Sequence, residues 1–168
     1  MPKLQKMKKK ELTILYSEFN NPEELSSDDS DLFTEAENAI SHAYAPYSGF
    51  KVGAAALLEN GEIITGNNQE NAAYPSGLCA ERVALFYASS KYPDVAVKTI
   101  AISANTKNFD FKGPVAPCGS CRQVMAETEN RFHNKLRVIM KGISGKIYIV
   151  EGVNNLLPWM FIADELKK

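Results

Sequence analysis

Cys79-Ala80-Glu81-Arg82-Val83-Ala84-Leu85-Phe86-Tyr87-Ala88-Ser89 reads as a helix that opens on a sulfur and carries a carboxylate two residues later. A second run, Pro117-Cys118-Gly119-Ser120-Cys121, holds the other two of the chain's three cysteines. Pro117 is a helix-start signal, and this second helix continues to Glu129. Between the two helices, Lys98 to Ala104 has the apolar composition of a buried strand. Two helix starts bearing thiols therefore flank a central strand, and their sulfurs can meet. Three thiolates leave the fourth position of a tetrahedral zinc open, which is where a catalytic site keeps a reactive water. The pattern predicts a hydrolytic zinc centre with one ion per subunit.

The remaining elements follow from periodicity and turn chemistry. From Ser30, a candidate N-cap, Phe33, Ala36, Ile40, Ala43 and Tyr44 recur at helical spacing until Pro46. Lys51–Glu59 and Glu62–Gly66 are apolar runs separated by Asn60-Gly61, a strong hairpin signal. Arg137–Met140 and Lys146–Val150 are strands joined by a connection with Gly142, Ser144 and Gly145, too short for anything but an antiparallel hairpin. Residues 155–167 read as a terminal helix. Helices interleaved with five strands imply an α/β domain of three layers, α/β/α. Residues 1–29 read as an N-terminal arm and 30–168 as a single domain. Within the arm, Leu12 to Tyr16 is strand-like, and the simplest account of the whole is a solvated extension.

Composition narrows the function. The chain has 168 residues, 45% hydrophobic and 23% charged, with formal net charge −1. That is an ordinary soluble composition with room for one domain, and it offers no general attraction to nucleic acid or anionic membrane. No apolar run approaches the ~20 residues that span a bilayer. The first ten residues carry five lysines without the apolar stretch of a secretory signal. The charge balance makes a small molecule the expected substrate, and three cysteines cannot pair completely, so a reducing cytoplasm is the expected setting.

Cys118 and Cys121, three apart on a helical turn, share a face, and a helix N-terminus favours the thiolate form of Cys79. Glu81 diverges by roughly 200° from Cys79 around the helix, so it lines the pocket above the ion instead of ligating it. There it can serve as general acid and base, as the glutamate of zinc deaminases does. Three thiolates around Zn²⁺ leave a net negative core, which makes bound water a weaker acid. A nearby cation should offset this, and Arg82 is the candidate. Two competing readings stand beside this one. A redox dithiol leaves Cys79 and Glu81 without a role; a closed structural zinc site needs a fourth ligand, and His42 and His133 lie outside both motifs.

The motifs Asn68-Gln69-Glu70-Asn71-Ala72-Ala73-Tyr74-Pro75, Cys79-Ala80-Glu81-Arg82 and Pro117-Cys118-Gly119-Ser120-Cys121-Arg122-Gln123 together resemble the cytidine deaminases of pyrimidine salvage. The likeness extends through Tyr44-Ala45-Pro46-Tyr47-Ser48-Gly49-Phe50 and Val52-Gly53-Ala54-Ala55 to Leu156-Leu157-Pro158-Trp159-Met160-Phe161, roughly residue 30 to the end. The resemblance implies a mixed sheet of the deaminase type and hydrolysis of cytidine and 2′-deoxycytidine to the uridine products and ammonia, by zinc-activated water and a glutamate proton shuttle. It implies that Cys79, Cys118 and Cys121 hold the metal and that Asn68 and Glu70 bind the ribose. Phe50 would wall the nucleoside pocket and Phe161 would pack over the base. It also implies a homotetramer with sites completed by neighbouring subunits. A deaminase for a modified cytosine nucleoside, of the blasticidin-S type, fits the Asn68/Glu70 pair less well. A nucleic-acid editor lacks the interleaved basic and aromatic residues, and a zinc-stabilised binding protein leaves Glu81 unexplained.

Overall fold

The computed structural model describes residues 7–108, 113–142, 145–162 and 164–166. Six strands form one sheet: β1 (Ser17–Phe19), β2 (Lys51–Leu58), β3 (Ile63–Asn67), β4 (Val97–Asn105), β5 (Arg137–Lys141) and β6 (Ile147–Glu151), in the order β1-β6-β5-β4-β2-β3. The β4–β5 pair is parallel, while β1–β6, β6–β5, β4–β2 and β2–β3 are antiparallel. Helices α1 (Ser27–Ala39), α2 (Ala80–Lys91) and α3 (Gly119–Phe132) complete the domain.

Alternation along the strands sorts the core into two faces. Ala55, Ala101, Ile139, Ile147 and Ile149 pack with Leu32, Phe33 and Ala36 of α1. Their neighbours Ala54, Ala56, Ile100, Ile102, Val138 and Met140 pack on the other face with Ala84, Leu85 and Ala88 of α2 and Met125 and Ala126 of α3. The result is the expected three layers, with both thiol-bearing helices on one side. Small residues set the spacing between layers. A Cβ at Gly53 would stand 2.0 Å from the Ala36 carbonyl oxygen, and one at Gly66 would stand 2.5 Å from both the Ala80 oxygen and the Ala84 nitrogen. The bare backbone at Gly66 lets the first turn of α2 lie directly on β3.

Both expected hairpins form. Gly61 adopts φ +84° between β2 and β3, as the Asn60-Gly61 turn requires, and β5 and β6 pair antiparallel. The strand count is six where the sequence predicts five, because the arm supplies β1 to the edge of the sheet. Ser17, Glu18 and Phe19 register with Ile149, Tyr148 and Ile147, satisfying edge groups of β6 that would otherwise face water. Glu18 also pairs with Lys146, and the Tyr16 and Tyr148 rings lie 4.7 Å apart. The strand follows the apolar run Leu12–Tyr16 instead of coinciding with it.

Helix α1 begins earlier than the reading from Ser30. Ser26 is its N-cap, with Oγ accepting from the Asp29 N–H at 3.3 Å, and Asp28 and Asp29 occupy the first turn, where carboxylates are favoured. Asp29 also pairs with Arg137 of β5, a tertiary contact that periodicity does not show. The helix gives way at Ile40–His42 to a single 3-10 turn, ahead of Pro46. The terminal helix over 155–167 is not formed among the described residues. Short 3-10 turns occupy Val153–Asn155 and Asp164–Leu166, and the segment between them is pinned to α3. Arg122 Nη1 donates to the Leu156 carbonyl at 2.7 Å, and the Gln123 side chain bonds both backbone groups of Phe161. Those carbonyls are thereby taken by side chains instead of helical N–H groups. Ser144, the lysines Lys3 and Lys6, and the last residues of the expected terminal helix lie outside the described residues.

Candidate active site

Each thiol owes its place to a helix start. Cys79 is the N-cap of α2, Cys118 is the N-cap of α3, and Cys121 sits in the first turn of α3. Both caps have extended backbone and accept the first helical bond, from Val83 at 3.1 Å and Arg122 at 3.0 Å. The Cys79 and Cys118 sulfurs are 3.9 Å apart, those of Cys118 and Cys121 3.4 Å, and all three lie within 4.8 Å of one another. Among the described residues this is the group of His, Cys, Asp and Glu side chains whose ligand atoms converge. Zinc with bonds of ~2.3 Å holds tetrahedral sulfurs ~3.8 Å apart, so the donor set fits the ion in both chemistry and spacing. Cys121 is buried, Cys79 half-buried and Cys118 exposed, which leaves one side of the cluster facing the cavity. His42 lies in the 3-10 turn after α1, and His133 caps α3 in the left-handed region at φ 52°.

The electrostatics already favour a thiolate. The neighbouring Cys121 thiol, foremost, and then Arg82 and Cys118 hold the Cys79 thiol down at about 5, against the opposing effect of burial. Cys121 is pushed up foremost by its hydrogen bond to Cys79, then by burial and by the charges of Glu81 and Cys79. Arg82 stands where the sequence reading wants a cation. Its Nη2 is 3.8 Å from the Cys79 sulfur and 3.4 Å from the Gly77 carbonyl, while its buried Nε has no hydrogen-bond partner among the described residues. A guanidinium that places Nη2 beside the Cys79 sulfur calls for concentrated negative charge nearby, and three thiolates on one ion provide it.

Glu81, in the first turn of α2, is 4% exposed. Burial raises its carboxyl above the ordinary value of 4.5, and the Cys79 charge adds to this, against its own backbone N–H, Cys121 and Arg82. It lines a cavity of 350 Å³ together with Cys79, Cys118, Arg82, Phe50, Asn68 and Glu70. The structure thus brings these seven residues to one chamber. Phe161, by contrast, is 70% exposed and lies outside this cavity in its own chain, its backbone held by Gln123.

Asn68 and Glu70 flank Gln69, whose backbone bridges Tyr44 on one side and Leu78 on the other; residues two apart on such extended chain face the same way. Both are also engaged with the protein. Asn68 Oδ1 accepts from Val52 N–H at 2.8 Å, and its Nδ2 donates to the Phe50 carbonyl at 2.9 Å. Glu70 accepts from Tyr47 N–H, Ser48 N–H and the Ser48 hydroxyl. Its carboxyl is held below the ordinary value chiefly by that hydroxyl, with burial opposing and the two N–H groups assisting. The contacts of Ser48, Arg122 and Gln123 were not assigned from sequence, although all three stand inside the quoted motifs. Nothing local in a loop serine or in two helix-surface side chains points to partners 22 to 38 residues away.

Residues 26–133 match the family model for the cytidine and deoxycytidylate deaminase zinc-binding region. A cytidine deaminase of Halalkalibacterium halodurans is 42% identical over 137 residues, covering 80% of this chain and 95% of that protein. One from Sporosarcina psychrophila is 42% identical over 135 residues, covering 80% of this chain and 92% of its own length. The crystal structure of cytidine deaminase from Burkholderia pseudomallei superposes with a TM-score of 0.67 at 38% identity, across 82% of this chain and 100% of that one. With a family match over most of the length and the converging thiols such a zinc-binding region needs, the chain belongs to the cytidine and deoxycytidylate deaminase family.

Proposed function

We propose that this protein deaminates cytidine and 2′-deoxycytidine hydrolytically, in pyrimidine salvage, using one zinc ion held by Cys79, Cys118 and Cys121. The observation that carries the reading is Glu81, buried beside the three sulfurs and lining the cavity with Cys79 and Cys118. Zinc, when bound, supplies Lewis-acid activation of water near neutral pH. Protonated Glu81 donates to the ring nitrogen N3, making C4 electrophilic. The resulting carboxylate takes one proton of the attacking water and delivers it to the amino group, the C4–N bond breaks to release ammonia, and the proton left on the C4 oxygen returns to Glu81 as the carbonyl of the uridine product forms. Arg82 offsets the third thiolate. Phe50 lies along the base, and Asn68 and Glu70 turn toward the sugar.

A nucleoside suits the chamber better than a nucleotide. The cation on its described wall, Arg82, is directed at Cys79 and Gly77, and Glu70 adds a carboxylate that would repel a phosphate. The homotetramer and the cytoplasmic setting belong to the same proposal. Exposed Tyr74, Tyr87, Trp159 and Phe161 support association with further copies, which sedimentation would measure. Loss of cytidine absorbance with purified protein tests the activity. Glu81→Gln should keep its zinc by elemental analysis while losing turnover by about 10²–10⁴-fold or more; near-normal turnover would remove Glu81 from the chemistry.

A further inference from the structure

We infer that Ser48 is a positioning residue for the sugar end of the site, its hydroxyl setting the Glu70 carboxylate and the Phe50 backbone in one geometry. This rests on the nucleoside reading above. A hydroxyl has one donor and two acceptor positions. Ser48 Oγ donates to Glu70 Oε1 at 2.5 Å and accepts from the Phe50 N–H at 2.9 Å. Its backbone is held from both sides: the N–H points to Glu70 Oε2 at 3.3 Å, and the carbonyl accepts from Asn108 Nδ2 at 2.8 Å.

The geometry of the surrounding turn depends on that serine. Gly49 follows with φ +66°, and a Cβ there would stand 2.6 Å from Asn108 Nδ2, so the chain reverses tightly and brings Phe50 back to the cavity wall. Phe50 is then fixed at both peptide groups, its N–H by Ser48 and its carbonyl by Asn68. Glu70 has about four acceptor directions, of which Tyr47 N–H, Ser48 N–H and the Ser48 hydroxyl fill three. Among the described residues the remaining one is on Oε1, beside Ser48, so the hydroxyl decides the direction in which Glu70 can still accept a hydrogen bond from a ligand. A group arranged this way selects a hydroxyl donor at a defined position. These bonds lie on exposed loop surface, where water competes and each adds little to folding. Their loss should therefore register in substrate binding before it registers in stability.

The test is steady-state kinetics with cytidine for the zinc-loaded wild type, Ser48→Ala, Ser48→Thr, Glu70→Gln and the Ser48→Ala/Glu70→Gln double variant, with melting and zinc content measured alongside. Ser48→Ala is expected to raise KM about tenfold or more, on the scale of a lost bond to a charged group, with kcat within about threefold, while Ser48→Thr restores KM. Because the Ser48–Glu70 bond is lost in either single variant, the double variant should lose less than the product of the two single losses, any excess over Glu70→Gln alone coming from the Phe50 N–H. An unchanged KM in Ser48→Ala, or losses that multiply in the double variant, overturns the proposal while leaving the deaminase reading intact. A wild type that does not turn cytidine over removes that reading and this proposal with it. Should Ser48→Ala lose zinc or melt early, Ser48→Gly stands in with the same expected KM.

Discussion

Cys118 reaches the cluster from the exposed side, whereas Cys121 is buried under it. Removing either leaves two sulfurs, too few to hold zinc tightly. Cys118→Ala is expected to carry well under one equivalent of zinc by elemental analysis and to be inactive, and full occupancy would contradict the ligand assignment. Glu70 gives a pH-dependent expectation. Its folded value lies below the ordinary 4.5, chiefly through the Ser48 hydroxyl. A depressed carboxylate contributes its stabilisation fully above the ordinary value and loses it as pH falls through the folded one. The Glu70 carboxyl resonance should therefore titrate with a midpoint under 4.5, and the Tyr47 and Ser48 amide resonances should move with it; a midpoint at or above 4.5 would show the clamp to be absent in solution.

At the scale of elements, the close approach of α2 to β3 decides where Cys79 and Glu81 sit. Gly66→Ala would drive a methyl group into the Ala80 and Ala84 backbone at 2.5 Å, and backbone cannot swing aside as a flexible side chain does. The helix must move, at about 1–3 kcal/mol by the usual cost of overpacking. Displacing a proton-transfer group by even ~1 Å can cost about 10²-fold in rate. Gly66→Ala should accordingly lose more than tenfold in kcat, whereas Gly113→Ala, with nothing among the described residues within 4 Å of the new carbon, should be unaffected. Equal activities in the two variants would show that α2 tolerates a shift. Helices α1, α2 and α3 and strands β2 to β6 were legible because each is an apolar period bounded by a cap, a proline or an Asn-Gly turn. The start of α1 and the C-terminal segment were not, since Asp29–Arg137 and Gln123–Phe161 are long-range contacts with no local signature.

Across the whole molecule, the arm joins the sheet at the end opposite to the β2–β3 edge that borders the cavity. Deleting the residues before Ser26 removes β1 and its Glu18–Lys146 pair. Melting should fall by a few degrees, about 2–4 °C per kcal/mol for a chain of this size, with kcat and zinc content retained. A truncated protein that keeps zinc and folds but does not turn over would tie the arm to the chemistry. The sequence by itself determined the three cysteines at helix starts, the glutamate beside them and most of the elements, because residue type, helix-start spacing and turn chemistry act over a few neighbouring residues. Only the tertiary structure decided that the arm closes the sheet as a sixth strand, that Arg82 brings its Nη2 to the Cys79 sulfur, and that Asn68, Glu70 and Ser48 lace the Phe50 loop into one wall. Those outcomes depend on which distant backbone groups are left unpaired when the layers close, a quantity that exists only once the chain has folded.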